Sequence, residues 1–276
     1  MLAKFNQYNT HDMMSRFKSK LADLNAHPMK TRTKTSQMKE LDLFDMDKLP
    51  TFEPPKKSSC VLIFDTETTG LIPKGMPPLH TISNINLEPY PYITQLSAIL
   101  YDVENYKIKS VLNTYIKIPD HVEIPEIVVN LTGITREKCD GGMNIADALE
   151  KFYKMYSKCE AVIAHNMWFD SKMIRIECRR NLIPKMLKMF YKEDNPVHVN
   201  CTMMQGMKYC GLNRFVRLSA LYELLFKEDI NSYGIQLHNS LVDTLVCLRC
   251  YLKIFCEKEL TTEAFTAYLV SSGVKK

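Results

Sequence analysis

The sequence predicts an α/β protein: a mixed β-sheet of three antiparallel strands followed by parallel ones, flanked by helices. Two observations predict it. Three apolar segments joined by short links run from Val61 to Ile118, a spacing suited to antiparallel neighbours. Beyond them, helical periodicity alternates with a fully apolar strand, the pattern of a sheet covered by helices.

VLIFDT (61–66) is the first strand, preceded by a break, LPTFEPPKK, marked by Pro50, Pro54 and Pro55. YITQLSAILYD (92–102) and KIKSVLNTYIKI (107–118) are the second and third. NIADALEKFYKMYS (144–157) has helical periodicity, and EAVIAH (160–165) reads as a buried strand. MWFDSKMIRIECRR (167–180) is a helix stopped near Asn181 and Pro184. LSALYELLF (218–226) and LVDTLVCLRCYLKIF (241–255) are later helices. Thr261 caps a last one, which ends at Gly273. HDMMSRFKSKLADLN (11–25) suits a short helix outside the main core. The expected organisation is a basic, partly flexible arm over 1–57 and one domain over 58–276.

With 276 residues, 46% hydrophobic and 24% charged, the composition is that of a soluble globular protein with a sizeable core. No apolar run approaches the ~18–20 residues of a membrane span, and the N-terminus lacks the apolar block of a secretory signal. Nine cysteines without a disulfide-like framework suit an intracellular, reducing compartment, and Cys247 and Cys250 read as core residues of a helix. The net charge of +5 is uneven: residues 1–59 hold eleven Lys/Arg against seven Asp/Glu. Such an arm suits a polyanionic partner or a solvated tail.

The chemistry begins in VLIFDTETTGL (61–71). Asp65 and Glu67 lie two positions apart on a strand and therefore share a face. Two carboxylates so placed repel each other unless a cation joins them. Asp170 follows a buried strand where a helix begins, and Asp243 faces inward at the start of another. Four acids at the ends of elements flanking one sheet suit a pair of divalent ions and phosphodiester cleavage. Carboxylate oxygens favour Mg²⁺ or Mn²⁺ over zinc. His238, five residues before Asp243, suits the role of proton acceptor.

FDTETTG (64–70), AHNMWFD (164–170) and HNSLVD (238–243) resemble the three motifs of the DEDDh 3′→5′ exonucleases. That group includes the proofreading epsilon subunit of bacterial DNA polymerase III and ribonuclease T. The resemblance covers about residues 60–256, and LTGIT (131–135) and RLSALYELLF (217–226) are similar to connecting segments of the family. It implies a ribonuclease H-like fold, with Asp65, Glu67, Asp170 and Asp243 as metal-binding acids and His238 as general base. It further implies that backbone around Thr68 and Gly70 holds the terminal nucleotide. Leu71 and Ile134 would pack on its base, and Asn166 and Phe169 would shape the pocket. Thr132 stands where many members carry histidine, Ser240 where alanine is usual, and Cys201 where aspartate is common.

The activity implied is Mg²⁺-dependent release of 5′-mononucleotides from the 3′ end of a nucleic acid, DNA ahead of RNA. Two ions per site are expected, with Mn²⁺ able to substitute. A subunit of a polymerase or repair complex, tethered through the arm, and an RNA 3′-end exonuclease are the alternatives. A binding module that has lost catalysis would lack one of the five positions, and all five are intact. The loop over 72–91 is longer than a minimal link, suiting substrate contact and a neutral insertion equally.

Overall fold

β1 (Cys60–Thr68), β2 (Ile93–Asp102) and β3 (Lys107–Tyr115) form an antiparallel meander. β4 (Ala161–Ala164) and β5 (His198–Cys201) extend it in parallel, giving the order β3-β2-β1-β4-β5. This is the mixed sheet that the sequence predicts. The structure is a computed structural model and describes residues 60–75, 87–187, 189–190, 197–235, 237–256 and 260–271. The arm at 1–57, its expected helix at 11–25 and the middle of the 72–91 loop lie outside the described residues.

Alternation along β1 builds two cores. Leu62 and Phe64 face one side, with Phe152 of α3 (Ile145–Tyr156) and Ile174 of α4 (Met167–Arg180). Val61 and Ile63 face the other, with Leu245 and Leu248 of α7 (Ser240–Phe255) and Phe265 of α8 (Thr262–Ser271). All ten residues of β2 are buried, as a strand covered on both faces must be. Each fully buried Leu or Ile contributes about 1.5–3 kcal/mol, so the central strands supply much of the packing that holds the sheet in place. Cys247 and Cys250 are free thiols within the second core, the packing role read from their helix. Arg249, also on α7, is wholly buried; its guanidinium meets Glu228, Thr262 and the carbonyl of Leu260.

Four elements have no counterpart in the sequence reading: α1 (Glu126–Thr132), α2 (Arg136–Asp140), β5 and α5 (Thr202–Tyr209). α1 buries no residue, and β5 is four residues with only Asn200 buried, so neither has a hydrophobic period to detect. β3 ends at Tyr115 rather than at Ile118, because Ile116 turns away to bridge Met143. α6 (Leu218–Phe226) follows the expected boundaries. The Thr261 hydroxyl accepts the Ala264 N–H at 3.2 Å and caps α8 as expected, while Gly273 lies outside the described residues.

Gly142 closes the turn into that bridge, where a Cβ would stand 2.7 Å from the Tyr115 carbonyl oxygen and 2.9 Å from that of Cys139. Both neighbours are backbone and cannot swing aside. Gly142→Ala is expected to cost roughly 1–3 kcal/mol through overpacking, lowering the melting temperature by about 2–10 °C. An unchanged melt would show that this turn yields freely.

Candidate metal centre

The site forms where β1 outruns β4. The two strands pair only from Val61 to Ile63, so Asp65 and Glu67 project past the carboxyl ends of the parallel strands. Open α/β sheets leave a crevice there. Both acids lie on the Val61 and Ile63 face, towards α7, whereas Thr66 lies on the opposite face, towards α4. A register shift between Glu67 and Thr68 bends the strand end.

The other two acids arrive in the first turns of helices. Asp170 of α4 is buried, and its Oδ1 accepts the Thr66 N–H at 3.1 Å and the Thr66 hydroxyl at 2.7 Å. Asp243 of α7 accepts the His238 N–H at 3.1 Å on Oδ2. Asn239 caps α7 by accepting the N–H groups of Leu241 and Val242 at 3.1 and 3.4 Å. His238 has a left-handed backbone (φ 67°), uncommon for a non-glycine residue. One ring nitrogen of His238 and a carboxylate oxygen each of Glu67 and Asp243 lie within 4.8 Å of one another.

Burial holds all four acids above the ordinary carboxylate range, and mutual repulsion adds to it at Asp65, Glu67 and Asp243. Desolvation raises Asp65 most, followed by the charges of Asp170, Asp243 and Glu67. Burial, then Asp243 and Asp170, pushes Glu67 to about 8. Burial pushes Asp170 to about 7 against the hydrogen bonds from Thr66, and Asp243 to about 7 against that from His238. His238 is exposed overall, yet partial desolvation of its ring and, secondly, Arg217 hold its pKa below the ordinary value.

These residues fit a hard divalent cation. Asp243 Oδ1 is buried and accepts no hydrogen bond, and among the described residues no Lys or Arg pairs with any of the four acids. A carboxylate set left without counter-charge is what an oxygen-ligated ion requires.

Comparison with known proteins bears on the family and the fold. The model of the RNase_T family, described as Exonuclease, matches residues 62–251. The chain belongs to this exonuclease family. Its motifs are those of the DEDDh 3′→5′ type, whose members depend on divalent metal. No curated protein sequence matches it. Escherichia coli Exonuclease I with a 5cy-dT13 oligonucleotide superposes with a TM-score of 0.53 at 18% identity, over 78% of this chain and 44% of that one. Its zinc-bound form with single-stranded DNA gives 0.53 at 19% identity, over 78% and 43%. The nuclease domain of 3′hExo, a DEDDh family member bound to rAMP, gives 0.48 at 15% identity, over 72% and 93%. The exonuclease thus spans less than half the length of Exonuclease I, and what it shares with that enzyme is the fold.

The remaining expected residues of the exonuclease divide into open and packed ones. Thr68 is buried and donates its hydroxyl to the Gly70 carbonyl at 2.7 Å. A Cβ on Gly70 would meet nothing within 4 Å, so that backbone is open to a ligand. Leu71 is 84% exposed at the strand end. Asn166 precedes α4 in a left-handed conformation (φ 73°), and Phe169 packs half-buried against the first core. Ile134, expected against a base, is instead fully buried with Ile118 and Cys139, because the left-handed cap at Gly133 turns it inward. Thr132 is also engaged, donating to Val128 O at 2.9 Å and accepting the Ile134 N–H at 3.1 Å. The sequence reading missed Thr66 and His165. Thr66 is signalled only by its place between the two strand acids. His165 bridges Thr202 and the Val216 carbonyl at 3.0 Å each, and burial pushes its pKa down to about 4.

Unfolded carboxyls ionise near 4, whereas the folded exonuclease retains protons on Asp170 and Asp243 to about 7 and on Glu67 to about 8. The folded state therefore binds more protons over that window, so without a divalent cation its stability falls as pH rises. His165 acts oppositely, but only below about 6.5, where the unfolded chain protonates first. In chelator, the melting temperature is expected to fall between pH 6.5 and 8, and divalent metal should raise it more at pH 8 than at pH 6.5. Asp243→Asn should raise the melting temperature in chelator at pH 8 and shrink the response to metal. A flat or rising trend in chelator over this range would contradict the repulsion.

Proposed function

We propose that this exonuclease removes 5′-mononucleotides from the 3′ end of a nucleic acid, with Mg²⁺ held by Asp65, Glu67, Asp170 and Asp243, and His238 as general base. The observation that carries it is the uncompensated four-carboxylate cluster with the His238 ring beside Glu67 and Asp243. Two divalent ions bound by the four carboxylates supply Lewis-acid charge that acidifies water and offsets charge on the phosphate.

The chain's own residues do the rest. The lowered pKa of His238 leaves its imidazole neutral near pH 7, ready to take the proton of the attacking water. The Asp243 contact to the His238 N–H fixes the ring's backbone next to the acids it serves. Thr66 holds one oxygen of Asp170 and thereby orients the other. The open backbone at Gly70 and the exposed Leu71 receive the terminal nucleotide. Single-stranded DNA is the first substrate to test, being the ligand of Exonuclease I; RNA of matched sequence decides between the two.

Removal of 3′-terminal nucleotides from end-labelled strands should require Mg²⁺ or Mn²⁺ and vanish in Asp65→Ala. A closed circle should survive, and its rapid cutting would mark an endonuclease instead. With metal saturating, kcat/KM should rise with pH through a pKa below 6.5 and then level off. His238→Ala should lower the rate roughly 10²–10⁴-fold. A His238 variant with normal turnover would remove this residue from the mechanism.

A further inference from the structure

Beside the carboxyl end of β4 the chain holds a cation that the four acids do not use. His165 follows β4 directly, and one of its ring nitrogens meets the Val216 carbonyl at 3.0 Å. The other meets the Thr202 hydroxyl at 3.0 Å, which donates to the Ala164 carbonyl at 3.4 Å. Val216 and Arg217 are thereby fixed beside the strand end from which the chain runs on, through Asn166, to Asp170. α6 is seated closely on α5: a Cβ on Gly206 would stand 2.5 Å from the Leu221 side chain. Arg217, the residue before α6, is exposed, and among the described residues its guanidinium makes no ion pair or hydrogen bond. Its charge nonetheless reaches His238, and among the described residues no other Lys or Arg shifts His238 or the four acids.

We propose that Arg217 is a catalytic residue that binds the scissile phosphate on the side of the attacking water and then holds the 5′-phosphate of the nucleotide released. This rests on the exonuclease reading of the site, with His238 as the base, and adds to it the group that meets the charge created by hydrolysis.

The stereochemistry of the reaction selects that phosphate. In an in-line displacement the attacking water and the leaving O3′ lie on opposite sides of phosphorus. Water adds its oxygen to phosphorus and gives a proton to His238. The P–O3′ bond breaks, and O3′ takes a proton from solvent to become the new 3′ end. The strand that remains therefore leaves on the side away from His238. A cation beside His238 stands on the water's side, where the terminal nucleotide and its phosphate lie. That phosphate passes from one negative charge as a diester to nearly two as a monoester at pH 8. A guanidinium binds phosphate oxygens through paired, charge-assisted hydrogen bonds that strengthen as this charge grows. The four carboxylates cannot supply such a contact, since they repel a phosphate until cations neutralise them.

Calorimetric binding of thymidine 5′-monophosphate to full-length protein in Mg²⁺ at pH 8 tests this apart from turnover. At that pH His238 is neutral with or without Arg217, because desolvation, the larger cause, already lowers its pKa. Arg217→Ala should bind the nucleotide roughly 10- to 100-fold more weakly and bind thymidine as the wild type does. Arg217→Lys should recover part of the loss, a point charge replacing the planar fork. In turnover of end-labelled oligo(dT), kcat/KM should fall in Arg217→Ala by a similar factor. Arg214→Ala, which removes an exposed arginine three residues earlier, controls for net charge. Nucleotide binding by Arg217→Ala no weaker than by that control overturns the proposal, as does an equal loss for thymidine. Absence of nucleotide binding in the wild type overturns it too. If the wild type binds the nucleotide through Arg217 yet shortens no strand, the phosphate contact stands and the exonuclease reading fails. If wild type and Arg217→Ala shorten strands alike, the reading stands and Arg217 has no part in it.

Discussion

Four carboxylates that repel one another at the open end of a sheet are the constraint to which the rest of the structure answers. Desolvation raises every one of them, neighbouring carboxylates add to it at Asp65, Glu67 and Asp243, and Asp243 Oδ1 lacks even a hydrogen bond. Nothing local holds such a cluster together. It persists because β1 and β2 are buried on both faces and because α4 and α7 are pressed against opposite sides of the same strand. Functional sites commonly keep this kind of destabilising arrangement, with stability supplied elsewhere in the fold.

The anchoring of the two helices follows from that constraint. Thr66 ties the first turn of α4 to β1 through both its N–H and its hydroxyl. α7 is tied to β2: the Ser97 and Ser240 hydroxyls share a hydrogen bond of 2.6 Å, and Gln95 Oε1 accepts the Ser240 N–H at 3.2 Å. Asn113 on β3 accepts from both Gln95 and Ser97 at 3.0 Å, extending the tie from β2 to β3. Serine in place of a usual alanine at 240 is therefore absorbed as an added tie rather than a defect. At its far end, α4 is held by Arg180, which donates to the carbonyls of Leu87, Tyr90 and Pro91 and stacks 3.6 Å from the Tyr92 ring. α4 is thus tied at both ends, which fixes the first turn that carries Asp170.

The surroundings of His238 show the same economy. The Asn239 cap, the left-handed turn at 238 and the Asp243 contact to the His238 N–H form one short unit linking His238 and the Asp243 carboxylate. His165 pins Val216, next to the Arg217 whose charge lowers the His238 pKa, to the end of β4 through Thr202. Polar groups close to the chemistry are in this way held by groups that are themselves fixed in the core.

Strands and helices with a strong apolar period were legible from residues alone: β1, β2, α3, α4 and α7 lie where VLIFDT, YITQLSAILYD, NIADALEKFYKMYS, MWFDSKMIRIECRR and LVDTLVCLRCYLKIF place them. Burial imposes that period, so it is written in sequence wherever an element has one buried face. The four acids and His238 were legible too, because carboxylates at the ends of apolar elements are chemically conspicuous. Elements with little buried surface, α1 and β5, left no such trace. Tertiary structure alone decided that Ile134 points into a satellite core rather than to a ligand, since Gly133 reverses the chain immediately before it. It alone decided that Thr66 serves Asp170 across a separation of 104 residues, and that Trp168 stays in solvent while its neighbours Met167 and Asp170 are buried. A sequence states which residues need burial, but which side chains meet depends on how strands and helices cross.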